Sequence, residues 1–186
     1  MFRVRKTENL RFGRRSVPGA NYFVTTCTAG RQPILDHDDT ARLASEALTH
    51  LAIEGDVAWI AGTVMPDHIH AVFQLGERLS LDRVIAKLKA KITRQLRRDF
   101  ATSIWQENVF EHRLRSHEDP ESYAFYIFMN PYRAELCPLT KVWPWWVCTA
   151  PERFRFLSLL NADGSSPVEW LQEAERISTQ IVSRAG

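Results

Sequence analysis

The sequence carries two histidines one residue apart, His68-Ile69-His70, inside a stretch that alternates apolar and polar side chains, HIHAVFQL. On a strand, residues two apart project from the same face. Both imidazoles therefore aim at one region and can share one metal ion, while Ile69 anchors the strand from the other side. Taken alone the pair is a weak signal, because a solvated strand face also carries polar residues. Two imidazoles are too few to hold a divalent ion, so a third protein ligand is expected. Oxygen ligands, water and phosphate complete a Mg²⁺ or Mn²⁺ site.

A second group lies in Tyr126-Ile127-Phe128-Met129-Asn130-Pro131. Tyr126 and Asn130 are four apart and share a helix face. A tyrosine hydroxyl is a competent nucleophile toward a positioned and polarised phosphate. The Asn130 amide oxygen is a candidate third metal ligand, one turn from that nucleophile. The ordinary alternative is that Tyr126 packs in the core beside Tyr123 and Phe125. Glu111 and His112 are testable as general bases, but a sheet-face role suits both better.

Elements must carry these residues. Asn21 to Thr28 is rich in aromatic and β-branched residues and predicts a strand. Asp38 to Glu54 has apolar residues at helical spacing, with Asp39 or Thr40 as N-cap and Gly55 as its end. Val57 to Met65 is nearly all apolar and predicts a central strand. Pro66-Asp67 is a tight turn into the histidine strand, His68 to Leu75. Leu81 to Asp99 predicts a helix with Leu81, Ile85, Leu88, Ile92 and Leu96 in one stripe. Val109 to Arg115 alternates again as a fourth strand. Asp119-Pro120-Glu121 starts the tyrosine helix with proline at its first position, and Pro131 perturbs its end. Residues Val142 to Pro151 hold three tryptophans without a clear element, and Val168 to Val182 is a last short helix. The order strand, helix, strand, strand, helix, strand predicts an α+β, ferredoxin-like βαββαβ unit: an antiparallel sheet with helices on one face.

The chain has 186 residues, 45% apolar and 25% charged, which suits one globular domain and excludes a disulfide scaffold or a disordered chain. Three cysteines without metal spacing predict free thiols in a reducing compartment. No apolar run reaches the ~20 residues of a membrane span, and the basic N-terminus has no apolar core behind it, so a cytoplasmic, nucleoid-associated protein without a membrane partner is expected.

Net charge is only +2, which taken alone argues against a nucleic-acid binder. The distribution says otherwise. Residues 1–15 hold six basic residues and one acid, with Arg3, Arg5, Arg14 and Arg15 among them. Residues 82–99 hold seven basic and two acidic. The two segments carry +10 between them and leave the rest of the chain at −8. Arg83, Lys87, Lys91, Arg94 and Arg98 recur along one side of the predicted helix and offer phosphate contacts. Their ordinary alternative is a solvated helix face.

The segment Val64-Met65-Pro66-Asp67-His68-Ile69-His70-Ala71-Val72-Phe73 resembles the HUH signature of the Y1 transposases. Tyr126-Ile127 through Asn130-Pro131, with Arg133-Ala134, is similar to their catalytic-tyrosine helix. Ile104-Trp105-Gln106, Arg113-Leu114-Arg115, Arg15-Ser16 through Pro18-Gly19, and Trp143-Pro144-Trp145 add to the match. Together they resemble the REP-associated tyrosine transposases, an IS200/IS605-like single-strand family, from about Arg15 to Trp146. Where Glu135 stands many relatives have a small residue, often glycine, and where Phe128 stands a His or Leu, and neither position is expected to carry chemistry.

The resemblance implies an HUH transposase fold over residues 16–150; outside it the sequence itself reads as a basic arm at 1–15 and a C-terminal extension with a short helix at 151–186. It implies an enzyme that cuts and rejoins single-stranded DNA at REP- or BIME-like hairpins, as a monomer or homodimer. Tyr126 attacks a phosphodiester, forming a 5′-phosphotyrosine and freeing a 3′-hydroxyl, with His68, His70 and Asn130 holding Mg²⁺ or Mn²⁺. The alternative is a binding protein for DNA or RNA hairpins on the same fold, with the chemistry unused.

Overall fold

The computed structural model describes residues 16–96 and 104–185. The elements are β1 (Asn21–Thr28), α1 (Asp38–Ile53), β2 (Val57–Met65), β3 (His68–Leu75), α2 (Leu81–Leu96), β4 (Trp105–Arg113), α3 (Pro120–Arg133), β5 (Trp146–Cys148) and α4 (Trp170–Ala185). The basic arm lies outside the described residues, as does the end of the basic helix beyond Leu96.

The sheet order is β4-β1-β3-β2-β5, with every pair antiparallel. β1 and β2 therefore run parallel with β3 between them, the topology expected of a βαββαβ unit. The two central strands β1 and β3 are buried on both sides because helices cover both faces. Tyr22, Val24, Ile60, Val64, Ile69, Ala71 and Phe73 face α1 and α2. Phe23, Trp59, Ala61 and Val72 face α3, α4 and the segment between them. The unit's own two helices share one face, as predicted. The opposite face is closed by α3 and by the C-terminal α4, whose Ala174 and Ile181 join the same core as Phe154 and Phe156. No helix among the described residues is long and apolar enough to cross a membrane.

Local chemistry explains most element ends. Asp119 caps α3 by accepting from the Glu121 backbone N–H at 3.0 Å, with Pro120 at the first helical position. The N-cap of α1 is His37, without a side-chain cap, rather than Asp39 or Thr40. Asp38 and Asp39 instead fall in the first turn, where their charge meets the positive end of the helix dipole. β4 begins at Trp105, four residues before the expected Val109. Gln106, Glu107 and Asn108 have poor strand propensity, but β4 is an edge strand and leaves them toward solvent. β5 has no counterpart among the sequence expectations. Three residues cannot show a period, and they are ordered by pairing with β2 from Ala61 to Thr63.

The end of α3 carries a strained position. The Leu136 N–H bonds to the Pro131 carbonyl at 2.9 Å and the Glu135 N–H to the Tyr132 carbonyl at 3.1 Å, a Schellman cap. This cap places Glu135 at φ +57, where a side chain is disfavoured by roughly 1 kcal/mol. Glu135→Gly is expected to stabilise the protein by about 1 kcal/mol and raise Tm by about 2–4 °C, read by thermal unfolding.

Candidate active site

β3 presents His68 and His70 on the face covered by α3, and Thr25 of β1 lies directly across from His70 in the register. The His68 Nε2 and His70 Nε2 atoms are 3.1 Å apart. The outer nitrogen of each ring is held from behind. His68 Nδ1 lies 2.5 Å from Asp67 Oδ1, and His70 Nδ1 lies 2.7 Å from Thr25 Oγ1. A carboxylate only accepts, so His68 carries its proton on Nδ1 and turns a lone pair inward from Nε2. Thr25 accepts from or donates to His70. When it accepts, two lone pairs meet at 3.1 Å, an arrangement that a shared cation relieves. Two nitrogens about 2.1 Å from one ion and about 90° apart are separated by roughly 3 Å, so the pair fits a divalent ion. Partners behind each imidazole, as here, are the usual support of a metal-binding histidine.

Burial disfavours the protonated form of both rings. It lowers the His68 pKa, with Asp67 opposing, and lowers that of His70 well below the ordinary value, with His68, Arg31 and Arg133 adding to the effect. Thr63 stands directly opposite His70 across β2, and its buried hydroxyl has no hydrogen-bond partner among the described residues. Among those residues no group of three or more His, Cys, Asp or Glu is placed to hold a metal. A ligand set built on the histidine pair must therefore draw on other oxygens, such as the Asn130 amide.

α3 brings Tyr126 to this pair. Phe23 of β1 stacks on His70 at 5.7 Å and meets Tyr123 at 5.4 Å and Tyr126 at 6.1 Å, so one aromatic residue seats the helix against the sheet. The Tyr126 and His70 rings are 5.8 Å apart at 65°. Tyr126 is half-buried, as is Asn130 one turn further along α3. Tyr123, which is 1% exposed, and Phe125 lie in the core, and the half-buried Tyr126 packs against the same cluster.

His112 and the buried Glu118 belong to the scaffold that holds α3. Glu118 accepts from the Arg115 N–H at 2.7 Å and the Tyr123 hydroxyl at 2.7 Å, and lies 2.9 Å from His112 Nε2. Burial alone would raise the Glu118 pKa, but these bonds bring it down to about 2. Its contribution to stability is complete above the ordinary carboxylate range, near 4.5, and is lost as pH falls toward about 2. Glu118→Gln is expected to cost about 1–3 kcal/mol at pH 6. Urea unfolding at falling pH should show the gap from wild type closing as the wild-type carboxyl takes up its proton.

The basic stripe divides in the structure. Lys87 ion-pairs with Glu54 at 2.5 Å and with the fully buried Asp56, and Lys91 pairs with Glu54 at 2.5 Å. Those pairs hold the Glu54 pKa at about 2 and tie α2 to the end of α1. Arg83 and Arg94 are exposed on α2. Arg98, Arg3, Arg5, Arg14 and Arg15 lie outside the described residues. The tryptophans after α3 pack rather than project. Trp143 donates to the Val64 carbonyl at 3.2 Å, and Trp146 meets Phe128 at 5.2 Å.

Thr25 and Arg31 carry no signal of the site in the sequence, and Asp67 and Arg133 stand there only as members of the motif segments. Asp67 was signalled by its position next to His68, and Arg133 by lying two turns after Tyr126 on the same helix. Thr25 and Arg31 reach the site through strand pairing and a turn, which no local pattern encodes.

The chain belongs to the family of IS200-like transposases. Residues 16–118 match the family described as "Transposase IS200 like". That span includes His68 and His70 and ends before α3. Over 98 residues the chain is 32% identical to a Haemophilus influenzae protein assigned as a REP-associated tyrosine transposase, covering 46% of this chain and 56% of that relative. The chain thus matches little more than half the length of this curated relative. A REP-associated tyrosine transposase solved bound to a REP hairpin shares the fold, with a TM-score of 0.63 at 21% identity over 84% of this chain and 92% of that one. A Deinococcus radiodurans protein assigned as a transposase superposes with a TM-score of 0.45 at 20% identity, over 56% of this chain and 86% of that one.

Proposed function

We propose that the protein is a metal-dependent single-stranded DNA endonuclease and strand transferase acting beside REP-like hairpins. The observation that carries this is the Tyr126 ring set against His70, whose Nε2 lies 3.1 Å from that of His68. The helix-borne hydroxyl and the paired imidazoles act on one phosphodiester in this reading, and the ring contact between Tyr126 and His70 supports it.

Tyr126 Oη attacks the phosphorus of the scissile phosphodiester. An O–P bond forms to tyrosine and the P–O3′ bond breaks. The phenol loses its proton, the departing 3′-oxygen gains one, and the 5′ end stays linked to Tyr126. The reverse attack by a 3′-hydroxyl reseals the strand, so the link stores the energy and no nucleotide cofactor is consumed. His68, His70 and the Asn130 amide oxygen hold a Mg²⁺ or Mn²⁺ ion. When bound, that ion supplies Lewis-acid polarisation of the phosphate. Asp67 and Thr25 keep the two imidazoles oriented.

Arg83, Arg94 and Arg98 on and beyond α2, with Arg3, Arg5, Arg14 and Arg15 of the arm, contact the hairpin backbone. Lys87 and Lys91 contribute to that surface while paired with Glu54. The reaction is tested with hairpin-bearing single-stranded DNA and Mn²⁺. A protein–DNA adduct stable to denaturation is expected from the wild type. Hairpin binding without any adduct would favour a binding protein on this fold.

A further inference from the structure

Side chains run through the site as a row of successive neighbours, each in contact with the next: Arg31, His68, His70, Tyr126, Arg133. Arg31 Nη1 is 3.3 Å from His68 Nδ1 and 3.2 Å from Asp67 Oδ2. Beyond the histidines and Tyr126, the Arg133 guanidinium sits over the tyrosine ring, 5.5 Å from its centre. A guanidinium therefore closes the row at each end. The two come from unrelated elements, the short turn Ala29–Arg31 after β1 and the last turn of α3. Neither belongs to the arm or to the α2 stripe.

Both are placed by the fold. Arg31 has φ +56, a conformation costly for a residue with a side chain. The turn is held by Thr28 N–H to the Asp67 carbonyl at 2.9 Å and Ala29 N–H to the Ile104 carbonyl at 2.8 Å. Its side chain remains 53% exposed, with donors available beyond the one on Asp67. Arg133 is 17% exposed and is oriented from behind by α4, with Nε on Glu175 at 3.0 Å and Nη2 on Ser178 at 3.0 Å. Glu175 is 65% exposed, so solvent screens its fork-like pairing with Arg133 and another anion can compete for the guanidinium.

Resting on the function proposed above, we infer that Arg31 and Arg133 are phosphate-binding residues that bracket the scissile phosphodiester. Arg31 takes the strand on the His68 side and Arg133 takes it beside Tyr126. Guanidinium forks match phosphate oxygens and stay charged at any working pH. A strand laid along the row brings one phosphodiester to Tyr126 and its neighbours toward the two arginines. The arginines undergo no covalent change. Arg133 exchanges its carboxylate contact for phosphate oxygen, and the charge on the non-bridging phosphoryl oxygens during attack faces it.

The test uses the full chain and a hairpin with single-stranded flanks on both sides. Binding is measured against salt concentration, and adduct formation in single turnover with Mn²⁺. Each lost phosphate contact flattens the logarithmic salt dependence by about 0.7 for single-stranded DNA. Arg31→Gln and Arg133→Gln are each expected to lose about that much and to slow adduct formation by about 10–100-fold, the scale of one charged hydrogen bond. Arg31→Lys and Arg133→Lys should recover part of both. Arg42→Gln, on α1 across the sheet, removes the same charge and should change neither. Glu175→Gln loosens the tie to α4 but keeps the Arg133 cation. If it matches the loss in Arg133→Gln, Arg133 is a structural tie and its proposed role falls. If Arg31→Gln, an exposed change that leaves the core intact, binds and reacts as wild type, the bracket is wrong. A wild type without adduct overturns the nuclease reading, while the salt dependence still decides the phosphate contacts.

Discussion

Tyr126→Phe is expected to form no covalent protein–DNA adduct, with the rate falling by about 10⁴ or more, as when a covalent nucleophile is removed. The substitution deletes one oxygen. The ring keeps its contacts with Phe23, His70 and Arg133, so the seat of α3 on the sheet is retained. Thermal stability and hairpin binding should therefore stay near wild type. A denaturing gel of labelled hairpin DNA reads the outcome. An adduct that persists in Tyr126→Phe would move the nucleophile elsewhere and leave Tyr126 as packing. Loss of adduct together with loss of binding would mean that the variant had disturbed the helix, which the melting curve would also show.

His68→Ala is the second large effect. The His68 side chain is only 15% exposed, but it lies at the start of β3 and belongs to neither apolar core cluster, so its removal disturbs packing mainly at the site. It nevertheless removes half of the nitrogen pair. Cleavage is expected to fall about 10³-fold or more, because several kcal/mol of charge stabilisation at the phosphate are lost. Hairpin binding should change by no more than about twofold, since His68 belongs to the site of chemistry and not to the basic surfaces. Chelation of the wild type with EDTA should reproduce the loss, and Mn²⁺ should restore the wild type but not the variant. His68→Ala cleaving at the wild-type rate would return the pair to an ordinary strand face. His70 is a harder position to probe, because it is buried and stacked on Phe23, and its removal also leaves a cavity beneath Tyr126.

The contrast between α2 and the active site shows how far pattern reading reaches. Leu81, Ile85, Leu88, Ile92 and Leu96 were legible as a buried stripe because a helix repeats every 3.6 residues, and all five are buried. The basic side was equally legible as basic. Its partners were not, because Glu54 and Asp56 reach Lys87 and Lys91 from the junction of α1 and β2, more than thirty positions earlier. Net charge by segment described where cations are concentrated, but pairing decided which of them already have anions.

The active site divides in the same way. Alternation along β3 put His68 and His70 on one face, and helical spacing put Tyr126 and Asn130 on another. Both statements concern a single element, where backbone geometry alone sets the direction of each side chain. That β3's histidine face is the one α3 covers required the sheet order, the Phe23 contact and the cap at Asp119. Thr25, Arg31 and Arg133 entered through a strand partner, a left-handed turn and a C-terminal helix respectively. The sequence by itself determined the order of β1 to β4 and of the helices, and the chemical groups each would carry. The tertiary structure decided that two imidazoles, a phenol and two guanidiniums form one row. Side-chain period is a property of one element, whereas that row depends on how distant elements bury their apolar faces against each other.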